Sequence, residues 1–95
     1  MANDQTTISF VVTGPLSLPD LPLLCGDLAQ LIETTGATSA VCDVGCAGPD
    51  AVLVDALARI RMLARERGCA VEIRGASEQL RELVAFMGLQ GILWG

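Results

Sequence analysis

The sequence predicts a single α/β domain with a largely parallel sheet, and three observations support that class. Apolar segments of strand length alternate with longer segments in which apolar residues recur every three or four positions. The resulting order, β-α-β-α-β-α-β, is typical of parallel strands joined by crossover helices. The 95 residues are 52% hydrophobic, which is enough for one packed core. We therefore expect one domain over residues 1–95.

The first half of the chain predicts two strands and a helix between them. Residues 6–13 alternate as a strand does, and Gly14 and Pro15 would end it. A helix is expected to begin between Ser17 and Pro22 and to end at Gly36. Its buried stripe would comprise Leu21, Leu24, Cys25, Leu28, Leu31 and Ile32.

A nearly continuous apolar segment, residues 39–44, is expected to form the second strand. Such continuity favours a central strand covered on both faces. The glycine-containing loop that follows ends at Asp50, whose carboxylate can cap a helix running to about Arg67. This helix would bury Leu53, Ala56, Leu57, Ile60, Leu63 and Ala64.

The last third predicts a strand, a helix and a further strand. Residues 69–74 alternate between apolar and polar side chains. Ser77 is placed to cap the third helix, which Gly88 would end. Residues 91–94 are expected to form a short last strand or an extended tail.

Composition and charge argue against several function classes. The net charge is −5 with no Lys, which disfavours nucleic-acid binding. No run of about 18 apolar residues exists, and the N-terminal segment does not resemble a secretory signal, so we expect a cytoplasmic protein without membrane insertion. Four arginines on the second long helix are expected to form a solvated face with Asp55 and Glu66: Arg59, Arg61, Arg65 and Arg67.

The four cysteines show no pattern of metal binding, since no pair has the C-x-x-C spacing and the chain has no His. No metal or cofactor is expected. Cys25, Cys42 and Cys69 fall at core positions, and buried free thiols behave as small hydrophobic groups. Cys46, in the loop before the second long helix, is the cysteine expected to be exposed.

Three segments of the chain contain short motifs in series: "GPLS" at residues 14–17, "CDVG" at residues 42–45 and "ARERGCAVEIRGASEQLRELVAFMGLQGIL" at residues 64–93. Together they resemble the STAS domain family, to which bacterial anti-sigma factor antagonists belong. The first resembles the G-E-L-D before the family's first helix, and the second resembles its D-L-S-G strand end. The third resembles its R-x-R-G strand, N-P-S-P-type turn and last helix. The resemblance covers nearly the whole chain. It implies a STAS-like domain whose mixed, mostly parallel sheet has four to five strands, with three main helices packed on it.

The chain departs from the family at the position of its regulatory serine. The family's D-S-S-G motif falls here on Asp50, Ala51, Val52 and Leu53. In antagonists of the switching type the partner kinase phosphorylates the first Ser, which is Ala51 in this chain. Phosphoryl transfer needs a hydroxyl group, so the resemblance implies a module that cannot be switched at the usual position.

The resemblance implies a non-catalytic regulatory module that docks on an anti-sigma factor or related protein kinase. Docking would use the Asp50 loop and the following helix, which carries a second apolar line: Ala51, Val54, Ala58 and Met62. Two apolar faces on one helix indicate either burial all round or an exposed docking patch. If the patch is exposed, Val54→Asp is expected to abolish partner binding while the domain stays folded.

The sequence is also compatible with other functions. A STAS-type regulatory subunit of a lipid or anion transport system is the main alternative. An enzyme could use Cys46 near a helix N-terminus, but no His is present as a base. Backbone N–H groups of the loop could bind an anion, although Pro49 has no N–H and Asp50 would repel it.

Three further side chains have two interpretations each. Ser17 and Ser39 offer hydroxyls to a kinase, although capping and strand-edge roles explain both of them. Trp94 either packs against the domain or marks the contact of a homodimer.

Overall fold

The computed structural model describes residues 6–13 and 16–94 as a parallel three-stranded sheet with four helices. The elements in chain order are β1 (Thr7–Val11), α1 (Asp20–Thr35), β2 (Ser39–Asp43), α2 (Ala51–Glu66), β3 (Ala70–Arg74), α3 (Glu78–Phe86) and α4 (Gln90–Leu93). The α/β class is confirmed. Gly14 and Pro15, expected to end the first strand, lie outside the described residues.

The sheet has the order β1-β2-β3, so the expectation of four to five strands is corrected to three within the described residues. The segment expected as a last strand forms α4, a single helical turn. The backbone N–H of Leu93 donates to the Leu89 carbonyl at 3.0 Å, and that of Trp94 donates to the Gln90 carbonyl at 2.9 Å. The turn buries the Leu93 side chain in the core, at 1% exposure.

The sheet is covered on one face only in the described part of the chain, which corrects the expectation for the central strand. In β3, Val71 and Ile73 are buried, whereas Glu72 and Arg74 are exposed on the opposite face. Val41, the middle residue of β2, is only half-buried. Right-handed crossovers between consecutive strands place their helices on the same side of a sheet. Helix α2 accordingly contacts each of the other three helices.

One core lies between the helical layer and the sheet. Its largest fully buried side chains are Leu53, Leu57, Ile60, Leu80, Leu93, Val44, Val54 and Val84. The buried stripe of α2 follows its prediction except at Leu63, which is half-buried, and it is widened by Val54 and Ala58. In α1 the stripe is narrower than expected, because Leu31 is 39% exposed while Leu21, Leu28 and Ile32 are buried.

The predicted helix caps are confirmed. The Asp50 carboxylate accepts a hydrogen bond from the Val52 N–H at 3.0 Å, at the start of α2. The Ser77 hydroxyl accepts one from the Leu80 N–H at 3.1 Å, at the start of α3. Gly36 ends α1 in the left-handed conformation, with φ of 68°. These local signals therefore fix where the helices begin and end.

Candidate partner surface at the start of helix α2

Three connections meet at the carboxyl edge of the sheet, because all three strands are parallel. They are the segments that follow β1, β2 and β3. Binding sites of open α/β sheets commonly lie at this edge. The loop between β2 and α2, residues 44–50, lies between the other two and is therefore the natural centre of a candidate site.

Asp50 joins two of these connections through its two carboxylate oxygens. Oδ1 accepts the Val52 N–H, and Oδ2 accepts the Leu16 N–H at 3.2 Å. Leu16 belongs to the segment before α1, 34 positions away in the sequence. Asp50 is half-buried and has both oxygens engaged. Its role in the structure is therefore to hold the β1–α1 segment against the start of α2.

The connections that follow β2 and β3 touch through glycines. A Cβ atom placed on Gly75 would lie 3.0 Å from the Gly45 Cα and 3.1 Å from the Asp43 Oδ1. The same Asp43 oxygen accepts the Gly45 N–H at 2.8 Å. The loop after β2 is thus fixed on both sides, by Asp50 towards the first connection and by Gly45 towards the third. Ala51, the first residue of α2, follows this fixed loop and is exposed to solvent.

The structure separates the predicted partner-binding residues instead of bringing them together. Asp50 and Ala51 lie at the start of α2, and Ala51 is exposed. Val54 is fully buried and Ala58 is 9% exposed, so the expectation that these two contact a partner is corrected. Met62 is 59% exposed, but it lies about 16 Å along the helix from Ala51. The second apolar line of α2 is mostly core.

Two exposed leucines at the beginning of α1 were not singled out from the sequence. Leu18 is 64% exposed, and Leu23 is 71% exposed. The hydrogen bond from the Leu16 N–H to Asp50 brings their connection to the same edge of the sheet as Ala51. The sequence could have indicated their exposure, because Leu18 precedes the helix and Leu23 lies outside its buried stripe.

Three of the four cysteines lie in the environments expected from the sequence, and Cys25 is less buried than expected. Cys42 and Cys69 are buried, Cys25 is half-buried, and Cys46 is exposed in the β2–α2 loop. Burial raises the pKa of the Cys42 thiol to about 12, and it also raises the pKa values of Cys25 and Cys69. These three thiols therefore stay protonated at neutral pH.

The α2 start offers little to an anion. The Asp50 carboxylate already accepts the Val52 N–H, which belongs to the first turn. Pro49, which precedes Asp50, has no N–H to offer. A bound anion would have to displace a carboxylate that also holds Leu16, so anion binding is disfavoured here.

The two candidate serines have local partners. The Ser17 hydroxyl donates to the Asp20 carboxylate at 2.8 Å, and the Ser17 N–H donates to the same oxygen at 2.9 Å. These bonds lower the pKa of Asp20. The Ser39 hydroxyl lies 2.7 Å from the Thr7 hydroxyl across the β1–β2 pair. The Ser17 hydroxyl is therefore engaged as a donor to Asp20, and it does not cap a backbone N–H of α1. The Ser39 hydroxyl is engaged across the strand pair, as a strand-pairing role requires.

Trp94 packs partly buried against the core, and the Arg81 guanidinium lies over its ring at 4.6 Å. This contact is a cation–π arrangement within the chain. The contact favours the interpretation in which Trp94 packs against its own domain, with Arg81 as one of its neighbours.

Comparison with protein-family models and with curated proteins finds no match to this chain. Among residues 6–13 and 16–94, no helix combines the length and apolar character needed to cross a membrane. The same residues contain no group of three or more His, Cys, Asp or Glu side chains arranged to hold a metal ion.

Proposed function

We propose that this domain is a non-catalytic regulatory module of the STAS type, which docks on an anti-sigma factor or related protein kinase through the start of α2. The observation that carries the proposal is the exposed methyl group of Ala51. It follows a loop that Asp50 and Gly45 hold on both sides. A fixed loop presenting a small apolar residue suits protein recognition, because little conformational entropy is lost on binding.

The proposed surface is smaller than the sequence alone indicated. It consists of Ala51 and the loop before it, flanked by the exposed Leu18 and Leu23 at the beginning of α1. Exposed leucines beside a fixed loop supply apolar area for such an interface. Val54 and Ala58 support this surface from beneath instead of contacting the partner.

Because Ala51 has no hydroxyl group, the proposed regulation cannot depend on phosphorylation at this position. A module with Ala at the position of the family's phosphorylated Ser would remain in its unmodified, binding-competent form. The proposal places this constitutive binding in the cytoplasm, where free thiols are the usual state of cysteine. The described cysteines are all free.

The test is affinity capture from an extract of the native cell with two variants of the chain, in each of which an exposed alanine is replaced by glutamate. Ala51→Glu puts a carboxylate on the proposed surface, and acidic residues are favourable in a first helical turn, so the fold is expected to persist. Ala85→Glu makes the same change at an exposed position of α3. We expect Ala51→Glu to abolish capture of an anti-sigma kinase and Ala85→Glu to leave it unchanged.

A third variant examines the missing switch. With Ala51→Ser, the captured kinase is expected to phosphorylate residue 51, as detected by mass spectrometry. Equal capture by the two Glu variants would contradict the proposed surface. Capture of a transporter component in place of a kinase would assign the domain to the regulation of transport.

A further inference from the structure

A groove of about 540 Å³ lies between the second half of α2, the beginning of β3 and α4. It is distant from the carboxyl edge of the sheet, because it contacts β3 where that strand starts. Six of the side chains that line it are Arg61, Met62 and Arg65 from α2, Cys69 and Val71 at β3, and Ile92 from α4. A groove of this size is within the range of small-molecule sites, about 300–1,000 Å³.

The charge of the groove is opposite to that of the whole chain. Arg61 and Arg65 are four positions apart on α2 and therefore project from the same side of the helix. None of the groove-lining residues is acidic, although the chain carries a net charge of −5. Two neighbouring cations repel each other, and a bound anion would relieve that repulsion.

The other arginines of α2 differ from this pair. Arg59 contacts Asp55 at 3.1 Å, and Arg67 contacts Glu33 at 3.0 Å. Within the described residues Arg61 and Arg65 have no ion-pair partner, and the one hydrogen bond of Arg61 is from its Nη1 to the Leu93 carbonyl at 2.7 Å. That bond fixes the Arg61 guanidinium and leaves its other N–H groups for a ligand.

Exposed apolar side chains line the groove on both sides, from α2 and from α4. Met62 is 59% exposed, and Ile92 is 43% exposed. Cys69 and Val71, which also line the groove, are buried apolar side chains. Methionine adapts readily to the shape of an apolar ligand. A molecule that joins an apolar body to an anionic group would therefore match both properties of the groove.

The extent of the groove favours a compact ligand over an added strand. A peptide strand on the free side of β3 would run along the whole strand, from Ala70 to Arg74. The groove contacts only its first part, as far as Val71, and then follows α2 and α4. An amphiphile with a single short chain fits this outline better than an extended peptide.

We propose that this groove binds a soluble, single-chain carboxylate amphiphile of the fatty-acid type. The carboxylate is received by Arg65 and the remaining N–H groups of Arg61, and the hydrocarbon chain lies between Met62 and Ile92. This site is independent of the partner surface at the start of α2. Failure of either proposal leaves the other intact.

The test is a titration of the folded protein with octanoate, followed by the ¹H–¹⁵N NMR signals of the backbone amides. We expect saturable shifts at Val71, Gly91 and Ile92, and weaker shifts with 1-octanol at equal concentration. Arg65→Glu is expected to weaken octanoate binding roughly tenfold. Arg59→Glu, which makes the same charge change on the same helix away from the groove, is expected to leave it unchanged.

Four results would overturn the proposal. They are the absence of groove shifts at millimolar octanoate, equal binding of octanoate and octanol, equal losses in the two Glu variants, and shifts confined to another surface. Circular dichroism of both variants checks that they are folded. If octanoate fails and acidic peptides shift amides along the whole of β3, the groove belongs to a peptide strand.

Discussion

A Cβ atom on Gly75 would lie 3.0 Å from the Cα of Gly45, so the loops that follow β2 and β3 are in backbone contact. Gly75 also has φ of +79°, a conformation that side-chain-bearing residues rarely adopt. The contact braces the loop that ends at Asp50 and Ala51. The glycines at this edge of the sheet therefore shape the proposed partner surface.

Gly75→Ala is expected to destabilise the domain by about 2–4 kcal/mol. The new methyl group would meet backbone atoms of Gly45 that cannot move aside easily, and the positive φ adds its own cost. Chemical denaturation measures the change in the free energy of unfolding. Gly48→Ala is the control, since a Cβ atom there meets nothing within 4 Å. This variant should lower the free energy of unfolding by less than about 1 kcal/mol. Equal effects of the two variants would contradict the close loop contact.

Asp50→Ala is expected to cost about 1–3 kcal/mol, because it removes the helix cap and the hydrogen bond from the Leu16 N–H together. Asp50→Asn keeps an oxygen for the cap and should lose less. Urea denaturation of both variants provides the comparison. Asp27→Ala, at an exposed position on α1, is the control and should change stability little. If Asn and Ala are equally destabilising, the cap is not the main contribution.

Helix limits could be predicted from the sequence, whereas the coverage of each face could not. Asp50 and Ser77 predict the starts of α2 and α3, because their side chains can accept backbone N–H groups only two or three residues away, and both caps are present. Whether Val54 is core or surface depends on the packing of α2 against three other helices, which a single helical pattern does not specify. The four residues 90–93 are too few to distinguish a strand from a helical turn by periodicity.

Val54→Asp is expected to unfold the domain, in contrast to what the sequence alone suggested. Val54 is fully buried, and a carboxylate placed there would have no partner in the apolar core. The expected loss is more than about 4 kcal/mol. Thermal unfolding followed by circular dichroism measures it. Met62→Asp, at a position 59% exposed on the same helix, should leave the unfolding temperature nearly unchanged. A cooperatively folded Val54→Asp protein would contradict the burial of Val54.

The stability of the domain is expected to fall as the pH rises above 9, with Cys42 as one cause. Burial raises the pKa of its thiol from 9.0 to about 12, so the folded chain retains a proton that the unfolded chain releases in this range. Ionisation in the unfolded state alone lowers the free energy of unfolding, by at most about 1.4 kcal/mol per pH unit for one group. Cys42→Ala should flatten this slope, whatever its effect on stability at neutral pH. The exposed Cys46→Ala should keep the slope of the parent protein. Denaturant titrations at a series of pH values measure both slopes, and identical slopes in the two variants would refute the role of Cys42.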